Sequence, residues 1–353
     1  MAQIASVPIF LTYWSPAEYG VWLVVSSLMP YLTAFDVGHQ SYLSYEFIKA
    51  RDNDQLGRLL SSSLVAGGLM GAFALLATLI MVRTGAVEAL LGQVNPELAG
   101  QAERLLVVQG VVWLVSGTCG GLLGRAIVRL GHYPRTAWWG VASTIVTSIA
   151  PLIGVALGGN ILVAGLWLAG GTLAINTPLL ADFIRVWRRD GARFPPPDLG
   201  LAARNAFLSL GVTGRDILNQ VRQQGIRLVL APAVGVAQMT AFSTTRTGAN
   251  VALQGLSSIM GPFEPELLRF LRDRDQVRVE VALSVTWALV VYLIAPSLVA
   301  AQIIMPWVFE AWTRGRIAFD PLLFAILSAS VAVFAYAQTA ATIVAETIWS
   351  EAS

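Results

Sequence analysis

The sequence predicts an all-α fold: a polytopic transmembrane bundle of about ten spans in two pseudo-symmetric lobes, one of six helices and an incomplete one of four. Hydrophobic residues make up 56% of the 353 positions and charged residues only 12%, whereas about a quarter of a soluble domain is charged. Apolar stretches of about 20 residues, the length that crosses the hydrocarbon core, recur along the whole chain. Basic residues also alternate between the polar breaks, which supports the count of ten.

The ten apolar stretches are separated by short polar breaks. In chain order they cover residues 1–14, 20–46, 58–82, 104–124, 137–158, 161–186, 204–231, 236–262, 279–308 and 319–347. The first is too short to cross a bilayer alone, so we expect it to be a helix whose beginning is missing. Tryptophans near the stretch ends, among them Trp14, Trp22, Trp138 and Trp187, are predicted to lie at the membrane interface.

The basic residues predict an orientation. Fifteen of the 23 lie in, or at the edges of, breaks that follow even-numbered stretches, and four lie in, or at the edges of, breaks that follow odd-numbered ones. Because cytoplasmic loops collect Lys and Arg, the even breaks are predicted to be cytoplasmic, as is the N-terminus. The remaining four, within stretches seven and eight, need another explanation: Arg215, Arg222, Arg227 and Arg246.

A basic, proline-rich break divides the ten stretches. It predicts an N-terminal lobe over 1–187, a cytoplasmic linker over 188–203 and a C-terminal lobe over 204–353. The charged segments at 46–55 and 266–276 are similar and occupy equivalent places in the two lobes, as expected for a parallel repeat. An ordinary long loop is the alternative interpretation of the break.

Stretches seven and eight carry polar side chains that are costly in a membrane, and such residues normally face a cavity or a partner. At 100° per residue, the polar side chains of stretch seven fill one broad arc. The guanidinium fork of arginine matches phosphate, so we predict an anion-binding lumen. Its candidate lining residues are Arg215, Asn219, Arg222, Arg246 and Asn250. The alternative is a set of structural pairs, such as Arg215 with Asp216.

Two carboxylates are candidates for coupling transport to an ion gradient. Asp36 interrupts the apolar second stretch, and Asp216 lies near the middle of the seventh. A proton or cation site is one interpretation of Asp36. The other is a structural role, as a hydrogen bond to a neighbouring helix or a position near the inner headgroups.

Several classes of protein and site are disfavoured. Cys119 is the single cysteine and there are two histidines, too few for a disulfide framework or a metal centre. The longest outer break, 83–103, holds no paired acids and no histidine, so an enzyme is not expected. We expect no cofactor and no nucleic-acid partner.

Short motifs in both lobes carry a family resemblance. They lie at residues 16–22, 26–28, 35–38, 241–247, 262–266 and 312–315. Together they resemble bacterial polysaccharide flippases of the O-antigen type, in the superfamily that also contains the multidrug and toxin extruders.

The resemblance implies a transporter in the bacterial inner membrane that moves a polyprenyl-pyrophosphate-linked oligosaccharide for lipopolysaccharide or other surface polysaccharide. Membrane lipids and other polysaccharide-assembly proteins are the implied neighbours. Family members have twelve or fourteen helices, so we expect this chain to be truncated or to need a partner. A multidrug or cation extruder and an inactive remnant are the alternatives.

Overall fold

The computed structural model describes residues 2–260 and 276–334, and the chain divides into two compact units. The larger unit is Thr12–Thr240, and the smaller unit combines Met1–Leu11 with Ala241–Ser353. All regular structure in the described ranges is helical, which confirms the predicted all-α class. The division into lobes of six and four stays a prediction.

The larger unit is a bundle of helices joined by short turns. Its elements are α2 (Pro16–Leu32), α3 (Ala34–Lys49), α4 (Asn53–Arg83), α5 (Ala86–Leu91), α6 (Pro96–Val112), α7 (Thr118–Arg129), α8 (Tyr133–Ala156), α9 (Ile161–Arg189), α10 (Leu199–Gln220) and α11 (Ile226–Val234). Two π-helical turns, Trp113–Gly117 and Val221–Gly225, join α6 to α7 and α10 to α11.

The smaller unit has its own apolar core. Its helices are α1 (Ala2–Tyr13), α12 (Val236–Met260), α13 (Gln276–Leu289), α14 (Ala295–Thr313) and α15 (Pro321–Phe334). A π turn at Val290–Ile294 joins α13 to α14. The last residues of α1 and the first residues of α12 belong to the larger unit. Ala249, Leu298, Phe324 and Val331 form the buried cluster.

The repeat segment at 266–276 lies outside the described residues except for its last residue, and the motif at 262–266 lies outside them entirely.

Within the described residues, five helical segments are long and apolar enough to cross a membrane, or six when the pair α2 and α3 counts as one bent span. They match the predicted stretches 20–46, 58–82, 104–124, 137–158 and 161–186, and Val291–Thr313 overlaps the second part of 279–308. The chain is therefore a membrane-protein candidate on length and composition. Stretches 1–14, 204–231, 236–262 and 319–347 stay predictions as spans, and the last extends beyond the described residues.

The helix boundaries follow from capping residues in the sequence. Ser15 forms a capping box with Glu18, its Oγ accepting from the Glu18 N–H at 3.3 Å while the Ser15 N–H donates to Glu18 Oε2 at 2.7 Å. Asp52, Asn160 and Asp198 accept a first-turn N–H in the same way at α4, α9 and α10. Each side chain satisfies a backbone donor that the helix leaves unpaired.

The breaks that follow the second, fourth and sixth stretches meet at one end of the larger unit, here called the basic end. Arg129 Nε donates to the Ala50 carbonyl at 3.1 Å, and Asn53 Nδ2 donates to the Asp190 carbonyl at 3.0 Å. At the opposite end, Trp14 Nε1 donates to the Gly159 carbonyl at 3.0 Å. The helices therefore run from end to end, in the alternation that the basic residues predict.

The apolar core of the larger unit lies toward the basic end. Leu43, Phe47, Leu60, Leu122 and Trp187 are among its fully buried members, contributed by α3, α4, α7 and α9. Trp14 and Trp22 are buried as well, so these two and Trp187 pack inside the protein, and their depth at the membrane interface stays a prediction. These side chains fill gaps between helices; Trp138, which is 74% exposed, can occupy an interface.

Close helix approach depends on glycine at the contact between α3 and α10. A Cβ atom on Gly38 would stand 2.7 Å from the Thr213 Cα, a backbone atom that cannot move alone. The α10 residues that face α3 and α4 are small and polar, namely Asn205, Ser209 and Thr213, and all three are buried. Small residues of this kind let membrane helices pack backbone to backbone.

Two helix ends bring a histidine and an aspartate together at the basic end. Gly131 and Gly191 adopt φ values of +90° and +75°, and the His132 and Ala192 N–H groups reach back to Ile127 and Trp187. These turns place His132 Nε2 at 2.6 Å from Asp190 Oδ2. The hydrogen bond from His132, assisted by Arg189, holds the pKa of the Asp190 carboxyl below its usual value.

Asp190→Asn should remove a pH-dependent contribution to stability. Because the folded pKa is lowered, the carboxylate contributes fully above its unfolded pKa of about 3.9, and the contribution is lost as pH falls through the lower folded pKa. We expect the variant to be less stable at neutral pH by at most about 1 kcal/mol and to converge with the parent in acid. Thermal melting from pH 3 to 7 tests this, with exposed Asp54→Asn as control; parallel pH curves for parent and Asp190→Asn would contradict it.

Candidate functional site

The larger unit contains a cavity of about 480 Å³ halfway between its two ends. Helices α2, α6, α9 and α10 wall it, together with the start of α3 and the first π turn. Its lining residues lie near the middle of their segments, as Trp113 does between Pro96 and Arg129. The bend of 52° between α2 and α3, at Thr33, forms part of the wall.

Polar and aromatic side chains are mixed in this lining. Two indoles face amides and hydroxyls from the other helices, and none of the lining residues is basic. The polar and aromatic members are Trp22, Ser26, Thr33, Gln109, Trp113, Ser116, Thr172, Asn176, Asp216 and Gln220. A concave site of this size, mostly apolar with a few placed polar groups, is typical of small-molecule binding.

Hydrogen bonds fix several of these groups. Asn176 Nδ2 donates to Ser116 Oγ at 3.0 Å, which ties α9 to the π turn. Gln109 Nε2 donates to the Gly165 carbonyl at 3.2 Å, and Tyr31 Oη donates to the Gln220 carbonyl at 2.8 Å. The Asn176 and Gln109 amide oxygens and the Gln220 side chain make no further hydrogen bond in the described part of the chain, so they can accept from a ligand.

Asp36 lies behind this wall and is 1% exposed. Its Oδ2 accepts three hydrogen bonds, from Thr118 Oγ1 at 2.8 Å, Trp113 Nε1 at 2.9 Å and Gln40 Nε2 at 3.0 Å. Its Oδ1 has no hydrogen-bond partner in the described residues. One oxygen of the carboxylate is thus fully used, while the other can take a proton or a cation.

The π turn makes this arrangement possible. Trp113 and Thr118 are five residues apart, which in a regular α-helix places their side chains about 140° apart. The wider π turn at Trp113–Gly117 lets both donate to the same carboxylate oxygen. Such turns in long helices frequently mark functional sites.

A cation supports the carboxylate through an intermediate side chain. Arg125 Nη1 donates to Gln40 Oε1 at 2.8 Å, and Gln40 in turn donates to Asp36. Gly121 stands directly against Gln40, and a Cβ atom there would overlap the Gln40 Oε1. Gly121 therefore sets the close approach of α3 and α7 that keeps Arg125 in the network.

The polar side chains predicted to form one arc on stretch seven lie in different surroundings. Asp216 lines the cavity with Gln220, whereas Arg215 and Arg222 are exposed on the larger unit and Asn219 is half-buried between them. Arg215 and Asp216 form no ion pair in the described part of the chain, so the predicted structural pair is absent there. Arg246 and Asn250 are half-buried on α12, in the smaller unit.

Arg227, the fourth cation of the two stretches, is buried. Its Nη1 donates to Gln224 Oε1 at 2.8 Å and to Ser27 Oγ at 3.4 Å, which joins α11 and its π turn to α2. It has a structural place in the bundle and does not line the cavity.

Sequence reasoning found Asp36 and Asp216 but missed Trp113, Thr118, Gln109 and Asn176. Nothing in the spacing of Trp113 and Thr118 signals a shared partner, because the π turn is not visible in the sequence. Gln40 could have been found, since i and i+4 positions share a helix face.

No protein-family model, curated protein or solved structure matches this chain.

Gly121→Ala should disrupt the Asp36 network. The added methyl group displaces the Gln40 amide and breaks its contact with Arg125, and overpacking of this kind costs about 1–3 kcal/mol. Gly120→Ala on the same helix is the control, because its Cβ would lie 3.8 Å from Leu179 Cδ2, an ordinary contact. Melting temperatures in detergent compare the two; equal stability would show that α3 and α7 can separate freely here.

Proposed function

We propose that this chain is a membrane transporter of the flippase type, which moves a lipid-linked oligosaccharide across the cytoplasmic membrane. The observation that carries the proposal is the cavity at mid-height of a helical bundle, with amides, hydroxyls and a carboxylate in its lining. In hydrocarbon such polar groups are costly unless they serve a path or a site. Alternating access of two helical lobes remains the predicted mechanism.

The cavity lining supports a sugar as cargo. Trp22 and Trp113 offer flat apolar faces, and Gln109, Asn176 and Gln220 offer amides to hydroxyl groups. An uncharged cargo fits a lining that has no basic side chain. The sugar part of a lipid-linked oligosaccharide is such a cargo, while its lipid would stay among the exposed apolar side chains.

The exposed arginines support a diphosphate beside the cavity. Arg215 and Arg222 are seven residues apart, about two helical turns, with Asn219 between them. An exposed guanidinium group offers a planar set of donors that matches the oxygens of a phosphate. We assign this stripe to the diphosphate and Asp36 to the coupling ion.

A second candidate function has a specific observation in its favour. The only ionisable side chain in the cavity lining is a carboxylate, Asp216, which stands with two tryptophans and no arginine. Aromatic faces and a carboxylate are the groups that bind an organic cation. A multidrug or cation extruder is therefore the alternative.

Neutralising the arginine stripe should impair transport of a lipid-linked sugar. Losing one charge-assisted hydrogen bond costs about 1.5–3 kcal/mol, so we expect Arg215→Gln and Arg222→Gln each to slow flipping roughly ten- to a hundredfold. The measurement uses the full chain in proteoliposomes with fluorescent polyprenyl-diphosphate N-acetylglucosamine and an impermeant quencher. Arg246→Gln, in the same assay, tests whether Arg246 on α12 takes part in transport.

Arg188→Gln is the matched control, because Arg188 is equally exposed but lies at the basic end. Unchanged flipping in all three test variants, at a normal amount of folded protein, would exclude the diphosphate site. Deleting the gene should also leave lipid-linked repeat units on the cytoplasmic face; units that accumulate outside, unextended, would indicate an enzyme instead.

Cation binding separates the two candidate functions. Under the flippase proposal, tetraphenylphosphonium should not bind the full chain in nanodiscs, as measured by calorimetry. Binding that Asp216→Asn abolishes, and Asp54→Asn leaves intact, would support the extruder. Because the probe is a rigid cation without hydroxyl groups, this result does not depend on the identity of the glycan.

A further inference from the structure

Trp113 takes part in both features of the larger unit. Its indole lines the cavity, and its Nε1–H donates to Asp36 Oδ2 at 2.9 Å. The other two donors to that oxygen, Thr118 and Gln40, are not among the cavity-lining residues. A change in the charge of Asp36 can therefore reach the cavity through this one side chain.

The geometry decides where a proton or cation would bind. Oδ2 already accepts three hydrogen bonds, which exhausts its lone pairs, whereas the buried Oδ1 accepts none. A proton therefore adds to Oδ1 and leaves Oδ2 as a neutral carbonyl-type acceptor. Hydrogen bonds to a neutral oxygen are about half as strong as those to a carboxylate, so all three bonds weaken.

Of the three donors, Trp113 has room to leave. Gln40 is held by Arg125, and Thr118 is 2% exposed between α3 and α4. The Trp113 ring borders the cavity on one side and lies over its own helix at Gly117 on the other. A Cβ atom on Gly117 would stand 2.7 Å from the Trp113 Cδ2.

We propose that Trp113 is a positioning residue that transmits the charge of Asp36 to the cavity. While Asp36 is a carboxylate, the indole is held against α3 and the cavity keeps its full size. When Oδ1 takes a proton, the indole is released toward the cavity and narrows it. Gly117 permits the held position, because only a residue without a side chain leaves space for the ring.

Few other charged or titratable groups face Asp36. Arg125 acts through Gln40, and Cys119 lies in the same π-to-α7 segment. From α4 the carboxylate contacts Gly67, and α4 has no ionisable side chain between Arg58 and Arg83.

The two other titratable groups nearby face elsewhere. His39 on α3 faces the Ser63 and Asn205 backbone, and Asp216 lies in the cavity wall. If Trp113 responds to pH in the parent and this response is lost in Asp36→Asn, the titrating group is Asp36.

The inference deepens the proposed function, since it supplies the step by which an ion could gate the cargo cavity. Its test does not use cargo. The full chain, labelled with ¹⁵N-tryptophan in nanodiscs, gives an indole N–H resonance for Trp113 that is identified by its loss in Trp113→Phe. We expect this resonance to follow a single-site titration as pH is lowered and to stay fixed at its low-pH position in Asp36→Asn.

A second readout follows the cavity itself. With Cys119→Ser as background, Thr172→Cys places one thiol in the cavity wall, and its reaction with a small thiol reagent should slow several-fold at low pH. Gly117→Ala should give the slow reaction and the released Trp113 resonance at every pH. Gly120→Ala, three residues further on, should behave as the parent does.

A Trp113 resonance that ignores both pH and Asp36→Asn would overturn the proposal. So would a Thr172→Cys reaction that Gly117→Ala leaves unchanged. If Asp36→Asn fails to fold, two results still test the proposal: the pH titration of the unsubstituted chain, and the comparison of Gly117→Ala with Gly120→Ala. A chain that flips no lipid but shows both responses would reject the flippase proposal and keep this one.

Discussion

The larger unit is organised around a buried carboxylate in a helix that the sequence marks as a membrane span. A charge at this depth costs about 2.5–3.5 kcal/mol on insertion scales, so its surroundings must supply partners. Asp36 receives them from α3 itself and from both sides of a π turn in the facing helix. The π turn lets Trp113 and Thr118 donate to one oxygen atom, Asp36 Oδ2. The close approach at Gly121 and the contact of Arg125 with Gln40 hold the third donor to that oxygen.

The same requirement explains where polar residues lie elsewhere in the larger unit. Several buried serines and threonines return their hydroxyl groups to their own helix, as Ser116 does to Val112 and Thr213 does to Ser209. Helix α10 and the π turn after it carry the exposed Arg215 and Arg222, whereas Asp216 and Gln220 line the cavity. The segment thus presents cations on one side and a carboxylate with an amide on another, which is why the proposed function has two candidates.

Part of the fold could be predicted because it depends on local chemistry. Ser15 and Glu18 signal the start of α2, and glycines after α7 and α9 signal their ends. The alternation of basic residues predicted which turns of the larger unit share an end, and the contacts of Arg129 and Asn53 bring three of those turns together. The buried positions of Trp14, Trp22 and Trp187 were not predictable, since an amphipathic ring at a helix end fits either an interface or a core.

The sequence by itself determined that the chain is helical and apolar enough for a membrane, and that Asp36, Asp216 and the arginines of stretch seven need an explanation. Only the tertiary structure decided that Asp216 faces a cavity while Arg215 and Arg222 do not, and that Trp113 connects this cavity to Asp36. The reason is physical. Local signals act within one helical turn, whereas Trp113 and Thr118 reach Asp36 across 77 and 82 residues of chain, through a π turn that changes the helical repeat.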